Sequence, residues 1–246
     1  MSKELIILGM GASRRLCPFD RRDIPIWSCN TGYTQIAEMN GYVTKIFMSH
    51  EQHTKQIGEK DGKPVYGNAY NLGVMNNLAK HGVQILNIHR IKKLKMSLYP
   101  LKRIDRKFKA NGFFSNTISY MLAYAIDKST KVVNGRIILH DKGFEKIKIY
   151  GVDMLTKDEY ELEKGGIEYW IGYARGLGIE VEPCEGTALC KTCTGKPYGI
   201  KFFDPKDFDP WEMLKLAEKE QTWIDQAMPT KKQLKAMQKS LRRTIV

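Results

Sequence analysis

No run of apolar residues in the 246-residue sequence is long or apolar enough to cross a bilayer, so no spanning helix is expected. Cysteine is scarce. Five cysteines, an odd number spread over a chain of this length, do not make a disulfide framework, and reduced thiols are the simpler expectation. Only Cys184, Cys190 and Cys193 cluster; Cys190-Lys191-Thr192-Cys193 has the spacing of a zinc knuckle, but no second Cys or His pair follows to complete four ligands. No metal site is therefore expected. The opening residues, Met1-Ser2-Lys3-Glu4 and a short apolar run to Gly9, lack the basic segment and longer apolar stretch of a secretory signal, which points to a cytoplasmic protein with no membrane partner. Internal repeats and low-complexity segments are also missing. Acidic residues are in deficit: 27 Asp and Glu stand against 40 Lys and Arg, giving a net charge of +13. That balance favours an anionic partner, whether a nucleotide, a nucleic acid or an acidic surface.

What is present is a chain that is 42% hydrophobic, enough for one large core or one core with a small appendage. Leu5-Ile6-Ile7-Leu8 is a continuous apolar run, the pattern of a strand buried on both faces. Further strands are predicted over Ile24–Cys29, Val43–Met48, Val83–Ile88 and Lys146–Tyr150, with helices around Tyr33–Met39, Ala69–Lys80 and Thr117–Asp127 between them. This alternation implies right-handed βαβ crossovers. Asn134-Gly135, flanked by apolar residues on both sides, predicts a hairpin before the fifth strand. A helix over Ile167–Leu177, closed by Gly178, and a strand over Ile179–Val181 follow. The expected architecture is an α/β, Rossmann-like, mostly parallel sheet with helices on both faces over residues 1–205. A basic insertion is expected at about 90–112. A C-terminal helical extension is expected over 206–246, its last helix a basic amphipathic one.

The chemistry-bearing candidates start at the end of the first strand. Gly9-Met10-Gly11-Ala12-Ser13 is a turn in which glycines admit a phosphate close to the backbone and Ser13 adds a hydroxyl and an amide; a tight turn without ligand is the competing reading. Arg14 just downstream could neutralise phosphate. The third glycine of the dinucleotide fingerprint is absent, and Asn30 stands where an acidic ribose ligand would be needed, so an NAD dehydrogenase is disfavoured.

Leu8-Gly9-Met10-Gly11-Ala12-Ser13, Trp27-Ser28-Cys29-Asn30-Thr31-Gly32-Tyr33 and Ile149-Tyr150-Gly151-Val152-Asp153-Met154 fall in one order that resembles the Rossmann-like bacterial sialyltransferases using CMP-sialic acid. The same order resembles the related 6-hydroxymethylpterin diphosphokinase-like proteins and uncharacterised phage-type proteins. The resemblance covers about two thirds of the chain. It implies a nucleotide-sugar donor held by Gly9, Gly11, Ser13 and Asn30, by a helix start at Ser115-Asn116-Thr117, and by a strand end at Gly151 on the active-site rim. It departs from the sialyltransferases at the general base. Theirs is a His downstream of the last motif, whereas every His here lies upstream of it.

Other bases are open. His50, with His53 nearby, follows the third strand on the ligand-binding side of such a sheet and could take a proton from an acceptor hydroxyl. Asp153 could bind ribose, hold Mg²⁺, act as a base or simply cap a loop. Glu168 could face the cleft or serve its helix dipole. Ser115-Asn116-Thr117 is equally an N-cap signature. Lys102, Arg103 and Lys107 belong to the densest basic stretch, which is interleaved with aromatic and aliphatic residues and suits a nucleic-acid backbone or a solvated edge. The leading expectation is a metal-independent, sialyltransferase-like transferase moving a group from a nucleotide-activated small molecule to a hydroxyl acceptor, DNA being one conceivable acceptor. The alternatives are a Mg²⁺-dependent diphosphokinase-like enzyme using Asp153 and Asp158, and a nucleotide- or nucleic-acid-binding protein without turnover.

Overall fold

The structure is a computed structural model that describes residues 2–49, 56–60, 63–66, 72–154 and 159–190. One compact unit runs from Met1 to Lys191; Thr192–Val246 form a second unit. The expected C-terminal extension, His50, His53, Asp158 and Cys193 lie outside the described residues.

Seven strands form the main sheet: β1 (Glu4–Leu8), β2 (Ile26–Cys29), β3 (Lys45–Met48), β6 (Gln84–Asn87), β7 (Ser97–Leu98), β10 (Lys146–Tyr150) and β11 (Glu180–Pro183). Their order is β11-β10-β1-β2-β3-β6-β7, and every neighbouring pair is parallel. Two small antiparallel hairpins stand apart, β4 (Gln56–Lys60) with β5 (Lys63–Tyr66) and β8 (Thr130–Val133) with β9 (Arg136–Leu139). The helices are α1 (Gly32–Glu38), α2 (Leu72–Lys80), α3 (Leu101–Phe108), α4 (Thr117–Ser129) and α5 (Glu159–Gly176), and a 3-10 turn covers Ala12–Leu16. The fold is the α/β, Rossmann-like, mostly parallel sheet that the alternating pattern predicts.

Helices cover both faces of the sheet, which explains why β1 is apolar at every position from Leu5 to Leu8. Successive side chains of a strand point to opposite faces. Leu5 and Ile7 accordingly join Trp27, Phe47, Ile147 and Ile149 against α4 and α5, whereas Ile6 and Leu8 join Ile26, Ile36 and Cys17 on the other side. Farther along that second face, Ile46, Met48 and Ile85 meet Tyr33 of α1 and Met75 and Ala79 of α2. The α4 side is the larger core and is rich in aromatics: Trp27 touches Phe47, Tyr124 and Phe144 edge-on or tilted. Such ring pairs add to the burial free energy.

Three local differences from expectation have physical causes. The basic stretch contributes to the fold itself: β7 extends the sheet edge, and α3 buries Ile104 and Phe108 in the main core, with Lys102 and Arg106 exposed and Lys107 largely buried. Helix α5 begins at Glu159, well before Ile167, and runs straight through Gly165-Gly166. A Cβ at Gly166 would lie 2.1 Å from Ser115 Oγ, so that glycine serves a close helix-to-loop approach and is no helix stop. The hairpin β4–β5 interrupts the crossover from β3 to α2, a stretch in which no strand is predicted from the sequence. The Asn134-Gly135 turn forms as the dipeptide predicts, with φ of 50° and 75° at its two residues.

Candidate functional site

Chain order reverses between β1 and β10: the path from β1 steps outward through β2, β3, β6 and β7, then returns to β1's other side for β10 and β11. In open α/β sheets a crevice forms at such a switch, outside the carboxyl ends of the strands. A cleft of about 680 Å³ lies there, lined by the ends of β1 (Gly9), β2 (Asn30), β3 (Ser49) and β10 (Gly151), the start of α4 (Asn116) and α5 (Glu163).

The floor is made by two loops locked to each other. Gly9 N donates to Tyr150 O at 2.8 Å and Gly11 N to Gly151 O at 2.7 Å. A Cβ on Gly9 would sit 2.2 Å from Gly151 O, and one on Gly11 would sit 2.5 Å from Asp153 Oδ2, so the two backbones approach as only glycine allows. Gly151 itself has φ of 66°. Ser13 closes the clasp. Its amide donates to Asp153 Oδ2 at 3.2 Å, its hydroxyl donates to Asp153 Oδ1, and Gly151 N donates to Ser13 Oγ at 2.8 Å. Arg14 reaches back beneath the turn, Nη1 donating to Met10 O at 2.8 Å and to Gly11 O at 2.9 Å, while its buried Nε has no partner among the described residues.

Asn30 ends β2 in the left-handed region, φ 49°, a conformation Asn tolerates better than most residues; its amide donates to Phe47 O at 2.9 Å and ties the ends of β2 and β3 together. Cys29, next to it on the cleft wall, is buried, and burial pushes its thiol up to about 12, so it stays protonated and is no nucleophile at neutral pH.

The opposite wall is the start of α4. Asn116 is its N-cap: Asn116 Oδ1 accepts from Ser119 N at 3.0 Å, and Ser119 Oγ accepts from Asn116 N at 3.2 Å, a reciprocal capping box. The first-turn amides of a helix otherwise have no intrahelical acceptor and carry the positive end of its dipole. Thr117 Oγ1 and Ser49 Oγ lie 2.7 Å apart and join this wall to β3. Phe114 and Tyr120, rings 4.9 Å apart, give the cleft an aromatic side, and burial raises the Tyr120 phenol above its ordinary value.

Of the residues singled out in the sequence, the cleft gathers Gly9, Gly11, Asn30, Ser115, Asn116, Thr117, Gly151 and Asp153 along its lining, with Ser13 directly behind Asp153. Glu168 stands elsewhere. Its Oε1 accepts from Cys190 N at 2.6 Å and lies 3.6 Å from Lys164 Nζ, so it anchors the segment after β11. Lys102, Arg103 and Lys107 lie on α3 away from the cleft. Lys102 is exposed, while Arg103 and Lys107 bond to Asp127 at the far end of α4. Glu163 was passed over by sequence reasoning. It lines the cleft and accepts from Asn116 Nδ2 at 3.0 Å through Oε2, leaving Oε1 without a partner among the described residues. Extending α5 through Gly165-Gly166 would have put it in view, since Glu163 lies one turn before Gly166 on the same helix face. Among the described residues no three His, Cys, Asp or Glu side chains gather as a metal site, and no helix is long and apolar enough to cross a membrane.

No protein-family model matches the chain, and no curated protein matches it. Among solved structures it is similar to the sialyltransferase CstII from Campylobacter jejuni, determined in complex with a substrate analogue, cytidine-5'-monophosphate. The likeness has a TM-score of 0.45 and 16% identity, and it covers 76% of this chain and 82% of that one.

Proposed function

We propose that the protein is a nucleotide-dependent transferase of the glycosyltransferase kind, taking a nucleotide-activated sugar as donor and a hydroxyl group as acceptor. The observation that carries this reading is the composition of one cleft: a helix start, a glycine floor, Asn30 and an aromatic side meet at the switch point of the sheet. The amides of Thr117 and Ile118 suit the donor phosphate, and Phe114 and Tyr120 offer rings against which a base can lie. Asn30 supplies polar contacts to the nucleoside. In the proposed reaction the acceptor oxygen attacks the anomeric carbon, the bond from that carbon to the phosphate oxygen breaks, and the nucleotide departs with the bonding pair. The helix dipole of α4 stabilises the negative charge that develops on the phosphate.

The proton of the acceptor hydroxyl goes to a carboxylate. Both oxygens of Asp153 already accept from Ser13, so its first role is to hold the floor. Glu163 lines the cleft wall with one oxygen lacking a partner among the described residues and is the proposed base. The engagement of Asp153 by Ser13 also gives the Mg²⁺-dependent diphosphokinase reading less support than the sugar-transfer one.

Titration calorimetry of the full chain with CMP, UMP, GMP and AMP tests the donor site. One nucleotide is expected to bind with a favourable signal that weakens when Tyr120 is changed to Ala. Absence of any binding at millimolar nucleotide overturns the reading.

A further inference from the structure

The surface at the other end of α4 carries an unusual mixture. The β8–β9 hairpin leaves α4 without a linker and turns at Asn134-Gly135, with Val132 57% exposed, Val133 41% and Ile138 40%. Exposed aliphatic residues taken singly are ordinary, but Val133 and Ile138 share one face of a short hairpin, Val132 lying on the other. The pairing register puts Lys131 opposite Ile138 and Val133 opposite Arg136. Alternation along the strands places these four on one face, whereas Ile137 and Leu139 turn to the main core. The outward face is thus a checkerboard of two aliphatic and two basic side chains. Lys128 and Lys142 flank it in sequence.

We propose that this hairpin docks the protein on an anionic lipid surface. Val133 and Ile138 would enter the boundary between headgroups and acyl chains while Lys131 and Arg136 stay at the headgroups, the division of labour that holds peripheral proteins on acidic membranes. A second copy of the chain is a poor occupant, because both faces would bring Lys131 and Arg136 together on molecules already carrying a net charge of +13. Nucleic acid would use the basic residues but gain little from exposed valine and isoleucine. The cleft lies at the opposite end of α4, roughly 20 Å away at helical rise, so docking leaves it open.

The test uses the full chain and co-sedimentation with vesicles of phosphatidylcholine alone or mixed with phosphatidylserine. Binding only to the phosphatidylserine vesicles is expected. Each basic residue near an anionic surface contributes about fivefold, so K131A/R136A is expected to weaken partition about 30-fold. V133S/I138S, with all charges kept, is expected to weaken it at least about tenfold. Both variants change exposed positions, and circular dichroism melts verify that they fold. The proposal is overturned if V133S/I138S partitions like the wild type. It is equally overturned if that variant instead changes the sedimentation velocity of the free protein, or if K131A/R136A loses duplex DNA binding while vesicle binding is unchanged. Nucleotide calorimetry on the same variants stays as in the wild type, so this outcome and that of the proposed transferase reading are read separately.

Discussion

The two ends of α4 are built by opposite rules. At the carboxyl end Asp127, its side chain 2% exposed, accepts from Arg103 at 2.6 Å and from Lys107 at 3.1 Å, and Lys107 also reaches Thr130 O at 2.8 Å. Polar groups there are satisfied by the chain itself. At the amino end one side of the cap is closed by Ser119, while the first turn and Glu163 line the cleft, and Glu163 Oε1 has no partner among the described residues. Burial alone therefore does not mark a functional group. What separates the two ends is whether the chain supplies all the partners that its buried polar groups need.

The comparison breaks first at Asp127. Changing Asp127 to Ala is expected to cost about 4 kcal/mol in urea denaturation, because Lys107, 11% exposed, loses its counter-ion; the more exposed Arg103 turns to water and adds little. Nucleotide binding by the variant, measured where it remains folded, should match the wild type. A pH series sharpens the point. Burial opposes the charged form of Asp127, yet the hydrogen bonds from Arg103 and Lys107 outweigh it and hold the carboxyl below its ordinary range. With the folded value depressed, this stabilisation is complete above about pH 4 and is lost as pH falls through the folded value. D127N should therefore flatten the acid limb of the stability profile.

At the open end Glu163→Gln is expected to lower the release of nucleotide from an activated sugar donor about a hundredfold, with donor affinity nearly unchanged, as read by single-turnover chromatography. Unchanged turnover would assign the proton to another group. Gly9→Ala is expected to cost about 2 kcal/mol, since the new methyl would meet the carbonyl of Gly151, which cannot move aside as a side chain would; a melting curve and nucleotide titration should fall together. The smallest effect belongs to the cap: Asn116→Ala should cost about 1 kcal/mol in denaturation and release Glu163 from its hydrogen bond.

Much of the sheet was legible because its signals are local. The run Leu5–Leu8, the dipeptide Asn134-Gly135 and the strand Lys146–Tyr150 each state their conformation within a few residues, and the structure places them as expected. Glycines at Gly9, Gly11 and Gly151 were legible as special, but their partner was not: they make room for each other across the switch point, a reason that no single segment contains. The pairing of Arg103 and Lys107 with Asp127 was hidden for the same cause, because a basic stretch reads alike whether its counter-ion is solvent, phosphate or a carboxylate on the next helix. Glu163 was missed because a Gly-Gly pair reads as a helix boundary until Ser115 is seen lying against it.

The clasp between the first and tenth strands has a consequence for the order of events in folding. Ser13 and Asp153 stand 140 positions apart, and Gly9 N meets Tyr150 O over nearly the same interval. Contacts that close so long a loop cost chain entropy before they return anything, and they form late. A chain emerging from the ribosome can build β1, β2, β3 and most of their helices while the floor of the cleft does not yet exist. The proposed donor site is then completed in one step, when β10 slides in beside β1.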